Sequence, residues 1–166
     1  GGGVAVNIRD NGREERVTGS ELLVTTGRVP NLAGLELEAA GVDYDERGIK
    51  VDARLRTSNK KVFAIGDVVG SHQFTHVAGY HAGIVLRNVL FRLPAKVDYS
   101  AMPWVTYTDP EIAHVGMTEK QARKAHGDIR VLRHPFAEND RAQAERDTDG
   151  FAKIVTTAKG VMVGAS

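Results

Sequence analysis

The sequence predicts an α/β segment followed by an α+β segment, and three observations carry that expectation. Lys61 to Val69, K-V-F-A-I-G-D-V-V, is a short apolar run closed by Gly66-Asp67. That is the form of a strand buried on both faces of a parallel sheet, with a carboxylate at its carboxyl end. Phe74 to Phe91 follows with helical spacing. Beyond Leu93-Pro94-Ala95-Lys96, which breaks that helix, a new β-rich pattern with its own helix begins, and a domain boundary is expected near Tyr99.

Taken in order, Val4 to Ile8 and Arg16 to Thr26 alternate or cluster apolar residues around Asp10-Asn11-Gly12, a hairpin turn signal. The β-rich run Leu22 to Thr26 ends at Gly27, and Pro30-Asn31 opens a turn. Leu32 to Ala40 has helical spacing with Gly41 as its stop, and Ile49-Lys50-Val51 begins a short extended run. The strand Val62 to Ile65 follows. The Phe74 helix, read as an ordinary core helix, is capped by Thr75 and buries Ala78, Ala82, Val85, Leu86 and Val89. In the second segment Thr118 and Gln121 fit a capping box for a helix ending near Gly127, with strands at Ile129 to His134 and Gly150 to Thr156.

Chemistry concentrates at Gly66-Asp67. A carboxylate there can accept hydrogen bonds from sugar-type hydroxyls, and glycine lets a ligand approach the backbone. Alone, Gly-Asp after a strand is only a turn signal. If the intervening loop is compact, the amino end of the Phe74 helix lies close to Asp67, where unpaired N–H groups and the helix dipole favour negative charge. The six histidines form no metal set: His76 and His81 fall on different helix faces, and no carboxylate or cysteine completes them. Asp109-Pro110-Glu111 reads as a turn, and Glu138 to Arg141 as a solvated charged loop. Trp104 and Tyr107 fit either a core or a subunit contact.

Composition bounds the class. With 166 residues, 42% hydrophobic and 26% charged, the chain can build one core and is too polar for a membrane protein. A net charge of +1 argues against a dedicated nucleic-acid binder, and no apolar run is long enough to cross a bilayer. Gly1-Gly2-Gly3 lacks the regions of a signal peptide, so the expected location is the cytoplasm. The absence of cysteine excludes disulfide scaffolds and thiolate metal sites in this chain.

The segments Leu22 to Asn31, Lys61 to Val69, Phe74 to Phe91 and Pro103 to Glu119, in this order, resemble the class I pyridine nucleotide-disulfide oxidoreductases. These are the family of dihydrolipoamide dehydrogenase, glutathione reductase and mercuric reductase, and the resemblance spans nearly the whole chain. It implies residues 1–26 as the end of an NAD(P)H-binding domain, 27–98 as the C-terminal segment of a Rossmann-like FAD-binding domain, and 99–166 as a truncated α+β interface domain that pairs two subunits. It implies FAD as cofactor and NAD(P)H as co-substrate, with Asp67 on the flavin ribityl chain and Gly66 permitting the approach. The backbone of His76, Val77 and Ala78 would face the pyrimidine edge of the flavin. Gly27 and Arg28 sit where the chain re-enters the FAD domain.

The family's Gly-rich turns, cysteine pair and late His-Glu pair are not in this chain, so it is expected to be an internal fragment without an assignable catalytic residue. Val161 to Ser166 falls where the interface domain should continue. The parent is expected to be dihydrolipoamide dehydrogenase-like, acting on a small-molecule disulfide, or mercuric reductase-like, acting on a metal ion. The alternatives are a non-catalytic dimerisation module and a flavoprotein that never had a redox disulfide.

Overall fold

The computed structural model describes residues 3–166, so Gly1 and Gly2 of the first segment lie outside the described residues. Strands β1 (Val4–Asp10) and β2 (Arg13–Gly19) form an antiparallel hairpin paired from Val4↔Gly19 to Asp10↔Arg13. Asn11 and Gly12 both take positive φ, 46° and 83°. That is the two-residue turn whose twist matches the paired strands, and Asn-Gly is the pair that adopts it at least cost. The run Leu22 to Thr26, expected to continue as a strand, is instead unpaired, with Leu23 85% exposed. Its apolar side chains fit a strand, but no neighbouring strand among the described residues supplies the ladder.

The expected helix over Leu32 to Ala40 is reduced to a single turn. Gly34 and Glu36 take φ of 75° and 50°, outside the helical region, and interrupt the run. The turn that does form is closed by Gly41, at φ 64°. The Gly41 N–H donates to Glu38 O (3.0 Å) and the Val42 N–H to Leu37 O (2.9 Å). This is a Schellman closure, and its accompanying apolar contact is present because Leu37 and Val42 share one core cluster with Ile49 and Ala64. Strands β3 (Tyr44–Asp45) and β4 (Gly48–Ile49) make a minimal hairpin that delivers Ile49 to this cluster.

Val62 to Ile65 is extended, yet it is not the doubly buried strand expected. Its backbone pairs on one side only, with the returning segment from Leu55 to Thr57. The Thr57 N–H donates to Val62 O (3.1 Å), the Ala64 N–H donates to Leu55 O (3.2 Å), and a single bridge joins Arg56 to Phe63. Ala64 is buried, but Ile65 is 38% exposed. A parallel sheet needs a second neighbour for both faces and both edges to close, and none lies among the described residues.

Helix α1 (Thr75–Val89) is capped by Phe74 without a side-chain bond, and Thr75 is its first residue rather than its cap. Its buried face is Val77, His81 and Ile84, spaced by four and three residues as one helical stripe requires. Leu86 and Val89, expected inside, are each 51% exposed.

The second segment closes on itself. Strands β5 (Trp104–Thr106), β6 (Ile112–Gly116), β7 (Ile129–Pro135), β8 (Phe151–Thr157) and β9 (Met162–Ala165) form one antiparallel five-stranded sheet in the order β5-β6-β9-β8-β7. Gly116 pairs with Gly164 between β6 and β9. A Cβ on Gly164 would stand 2.0 Å from Met117 O, so only glycine allows this approach. Helix α2 (Glu119–His126) starts at the expected capping box of Thr118 and Gln121 and ends at Gly127. It places the fully buried Ala122 over the sheet, where Val155 is 1% exposed. The charged stretch expected as a loop instead forms helix α3 (Asp140–Glu145). Asn139 Oδ1 accepts from the N–H groups of Arg141 (3.0 Å) and Ala142 (3.1 Å), a start signal that the charge pattern masked. Tyr107 is 80% exposed, whereas Trp104 stacks at a tilt beside His114, with ring centroids 5.4 Å apart. Among the described residues no helix is long and apolar enough to cross a membrane.

Candidate functional site

Gly66 opens a short 3₁₀ turn, Gly66–Val69, at the end of the extended run. Gly66 sits at φ 71° and is buried, and a Cβ there would meet the Ala78 Cβ at 3.0 Å. The turn therefore rests directly on the first turns of α1. Its other side rests on the β3-β4 hairpin. A Cβ on Gly70 would lie 1.5 Å from Arg47 O, and one on Gly48 would lie 2.6 Å from Val68 O. Backbone packed on backbone at two glycines leaves the turn little room to shift. The Gly70 N–H donates to Asp67 O (3.0 Å) and closes it. The Asp67 side chain projects from this clamped turn and is exposed, so its carboxylate is available as an acceptor.

At the start of α1 the N–H groups of Val77 and Ala78 both donate to Phe74 O, at 3.0 and 3.2 Å. The donors with no acceptor inside the helix are thus those of Thr75 and His76, one residue earlier than the expected His76, Val77 and Ala78. The Val77 side chain is wholly buried in the core. His76 is exposed, with Nε2 2.8 Å from Pro103 O, so its ring ties the helix start to the start of the second segment. Arg28 donates from Nη1 to Gln73 O (2.9 Å), which fixes the loop just before α1. Gly27, at φ 145°, has open space around it. The fold thus gathers Gly66, Asp67 and Ala78 in one place, reaches Arg28 through Gln73, and leaves Gly27 apart.

One residue absent from the expected set is central to this geometry. His81, 0% exposed, accepts the Gly66 N–H at Nδ1 (3.0 Å). With Nδ1 an acceptor, the ring proton lies on Nε2, which donates to the Tyr99 hydroxyl 2.7 Å away. The Tyr99 ring in turn stacks on His72, with centroids 4.5 Å apart. Burial, and secondarily the nearby His72, push the His81 imidazole below its ordinary range and favour its neutral form. The signal that could have found it was present: a histidine four residues after Val77 and three before Ile84 lies on the apolar stripe.

Known proteins match this chain along most of its length. Residues 2–82 match the family described as pyridine nucleotide-disulphide oxidoreductase, and residues 102–166 match that family's dimerisation domain. The chain is 42% identical over 165 residues to dihydrolipoyl dehydrogenase of Geobacillus stearothermophilus, covering 98% of this chain and 35% of that protein. It is 38% identical over 159 residues to mercuric reductase of Bacillus cereus, covering 95% of this chain and 25% of that protein. The chain thus spans about a third or less of the length of these curated relatives. Among solved structures, a Cu(II) complex of the HOCl-induced flavoprotein disulfide reductase RclA from Escherichia coli superposes with a TM-score of 0.83 at 33% identity. It covers 97% of this chain and 38% of that one. LpdA from Mycobacterium tuberculosis superposes with a TM-score of 0.80 at 30% identity, covering 91% of this chain and 33% of that one.

Proposed function

The chain belongs to the pyridine nucleotide-disulphide oxidoreductase family, and on that premise we propose that it forms part of an FAD-dependent NAD(P)H:disulfide oxidoreductase of the dihydrolipoamide dehydrogenase kind. Residues 27–98 supply one wall of the flavin site, residues 1–26 end the NAD(P)H-binding domain, and residues 99–166 contribute to a homodimer contact. The whole enzyme works in the cytoplasm on a small-molecule disulfide. Bound FAD supplies a carrier of reducing equivalents between NAD(P)H and the redox disulfide.

The observation that carries this reading is the exposed Asp67 carboxylate on a turn pinned between two glycine contacts and α1. Its donor and acceptor chemistry fits the group. The carboxylate accepts from ribityl hydroxyls, and Gly66 leaves the backbone open beside it. The uncapped start of α1 offers the Thr75 and His76 N–H groups and the positive end of the helix dipole to the carbonyl edge of the ring system. Arg28 holds that helix start through Gln73.

Asp67→Ala in the full-length enzyme should lower flavin retained after dialysis while changing NAD(P)H affinity much less. Removing a charge-assisted acceptor corresponds to about ten- to a hundredfold in FAD affinity. Unchanged flavin content would remove Asp67 from the site. A second reading, a mercuric reductase-like enzyme, is favoured by the 38% identity to that enzyme of Bacillus cereus. Turnover of dihydrolipoamide with NAD, against mercuric-ion-dependent NADPH oxidation, separates the two.

A further inference from the structure

The flavin reading uses Asp67 and the helix start, but it leaves unexplained why a fully buried imidazole sits beneath them. His81 lies on the core face of α1 between Val77 and Ile84, where an aliphatic side chain would satisfy packing alone. Instead both ring nitrogens are engaged. Nδ1 takes the Gly66 N–H, and Nε2 reaches Tyr99. Gly66 is the residue immediately before Asp67, and its N–H follows the extended run whose other edge meets no strand among the described residues. A buried N–H without a partner is costly, so the imidazole does for this peptide what a neighbouring strand does elsewhere.

We propose that His81 is a positioning residue for the flavin site: its neutral ring, protonated at Nε2, fixes the Gly66-Asp67 peptide in the orientation that presents Asp67 and couples it through Tyr99 to the start of the second segment. The proposal rests on the flavin reading of Asp67. The contact is directional. Only an acceptor at the Nδ1 position holds the Gly66 N–H, and a second proton on the ring turns that acceptor into a donor facing a donor. The titratable groups that face His81 are His72 and Tyr99 from the flanking loops and Tyr80 from its own helix, whose ring centroid is 6.2 Å away. No carboxylate among the described residues acts on the ring: burial, and secondarily His72, are what disfavour its protonated form.

The test uses the full-length protein with FAD titrated by flavin fluorescence, comparing wild type, Asp67→Ala, His81→Leu and His81→Asn. Leucine keeps the bulk and removes the acceptor, whereas asparagine returns an oxygen near the Nδ1 position. His81→Leu should raise the FAD dissociation constant about tenfold, the size of one buried hydrogen bond, and His81→Asn should recover most of it. In wild type the dissociation constant should climb as pH falls below the ordinary imidazole range, and this acid limb should flatten in His81→Asn. The ¹⁵N shifts of His81 in the flavin-free protein should report the Nε2–H tautomer.

If Asp67→Ala weakens FAD while His81→Leu does not, or if His81→Asn is as damaged as His81→Leu, the positioning role is overturned and the flavin reading stands. If Asp67→Ala and His81→Leu both leave FAD unaffected, the flavin reading itself falls. An Nδ1–H tautomer overturns the contact whatever the flavin does.

Discussion

The turn at Gly66 to Gly70 and the sheet of the second segment solve the same problem in different ways. In the sheet, every strand from β5 to β7 finds its hydrogen-bonding neighbour within about 60 residues, and α2 covers the centre. Among the described residues of the first segment, extended runs such as Val62 to Ile65 pair along one edge only, and Leu22 to Thr26 pairs along none. The turn that follows Val62 to Ile65 is held by contacts of other kinds: glycines packed onto carbonyls at Gly48 and Gly70, and a histidine ring on the Gly66 N–H. A sheet distributes its backbone bonds over many residues. A turn held by three or four specific contacts concentrates the same requirement on a few side chains, and these are the ones next to Asp67.

The sharpest way to break this comparison is to add one methyl group to each region. Gly70→Ala would drive its Cβ to 1.5 Å from Arg47 O, and Gly164→Ala to 2.0 Å from Met117 O. Both opposing atoms are backbone and cannot rotate away, and Gly70 also holds φ 75°. Each substitution should cost about 3 kcal/mol. Hydrogen-exchange mass spectrometry should place the loss differently. Gly70→Ala should expose amides from residues 62–78 and weaken flavin binding, while Gly164→Ala should expose those of β6, β8 and β9. Equal loss of protection in both regions from either variant would mean the two fold as a single cooperative unit, and the contrast drawn above would fail.

A smaller effect separates local from distant specification. Thr118→Ala removes the hydroxyl that accepts from the Gln121 N–H, and should cost about 1 kcal/mol in urea unfolding. Its damage should remain within α2 and the strands beneath it. A shift in exchange at Gly66 to Ala78 would show that the capping box reaches the candidate site.

What the sequence disclosed divides along the same line. The Asn11-Gly12 turn, the Thr118 capping box and the strands β7 and β8 were legible because residues within a few positions of each other decide them. Leu32 to Ala40 departs from its expected helix for the opposite reason: its apolar spacing is helical, but Gly34 and Glu36 turn the run out of helical geometry. Leu22 to Thr26 fits a strand and finds no partner among the described residues. At the site, Gly66 and Asp67 stood out through a local glycine-carboxylate pattern. His81 did not, because its role is defined by a peptide fifteen residues away and a tyrosine eighteen residues on. Periodicity marks the face a residue occupies, and only the folded backbone shows which donor waits there.

The smallest effect tests the segment that leads into the turn. Asp52 organises the return from Leu55 to Thr57. Its Oδ1 accepts from the N–H groups of Arg54 (2.8 Å) and Arg56 (3.1 Å), and its Oδ2 accepts from Arg56 Nε (2.8 Å). The little burial present raises its carboxyl, but the Arg56 side chain and the two backbone N–H groups outweigh it and hold the group below the ordinary carboxylate range. The sign follows from linkage. A carboxyl depressed in the folded state contributes stability that is complete above its unfolded value and is lost as pH falls through the folded one. Asp52 and Arg56 are both substantially exposed, so solvent screening limits the contribution to about 0.5 kcal/mol. Asp52→Asn should therefore lose about that much at pH 7, with the gap to wild type narrowing as pH falls through the lower carboxylate range and shrinking in high salt. Because Arg56 bridges to Phe63 and the Leu55 carbonyl holds the Ala64 N–H, exchange at residues 62–66 should quicken in the variant. A stability loss confined to residues 52–57 would show that the extended run is held in place by Leu55 in the core and not by the shape of the turn that Asp52 builds.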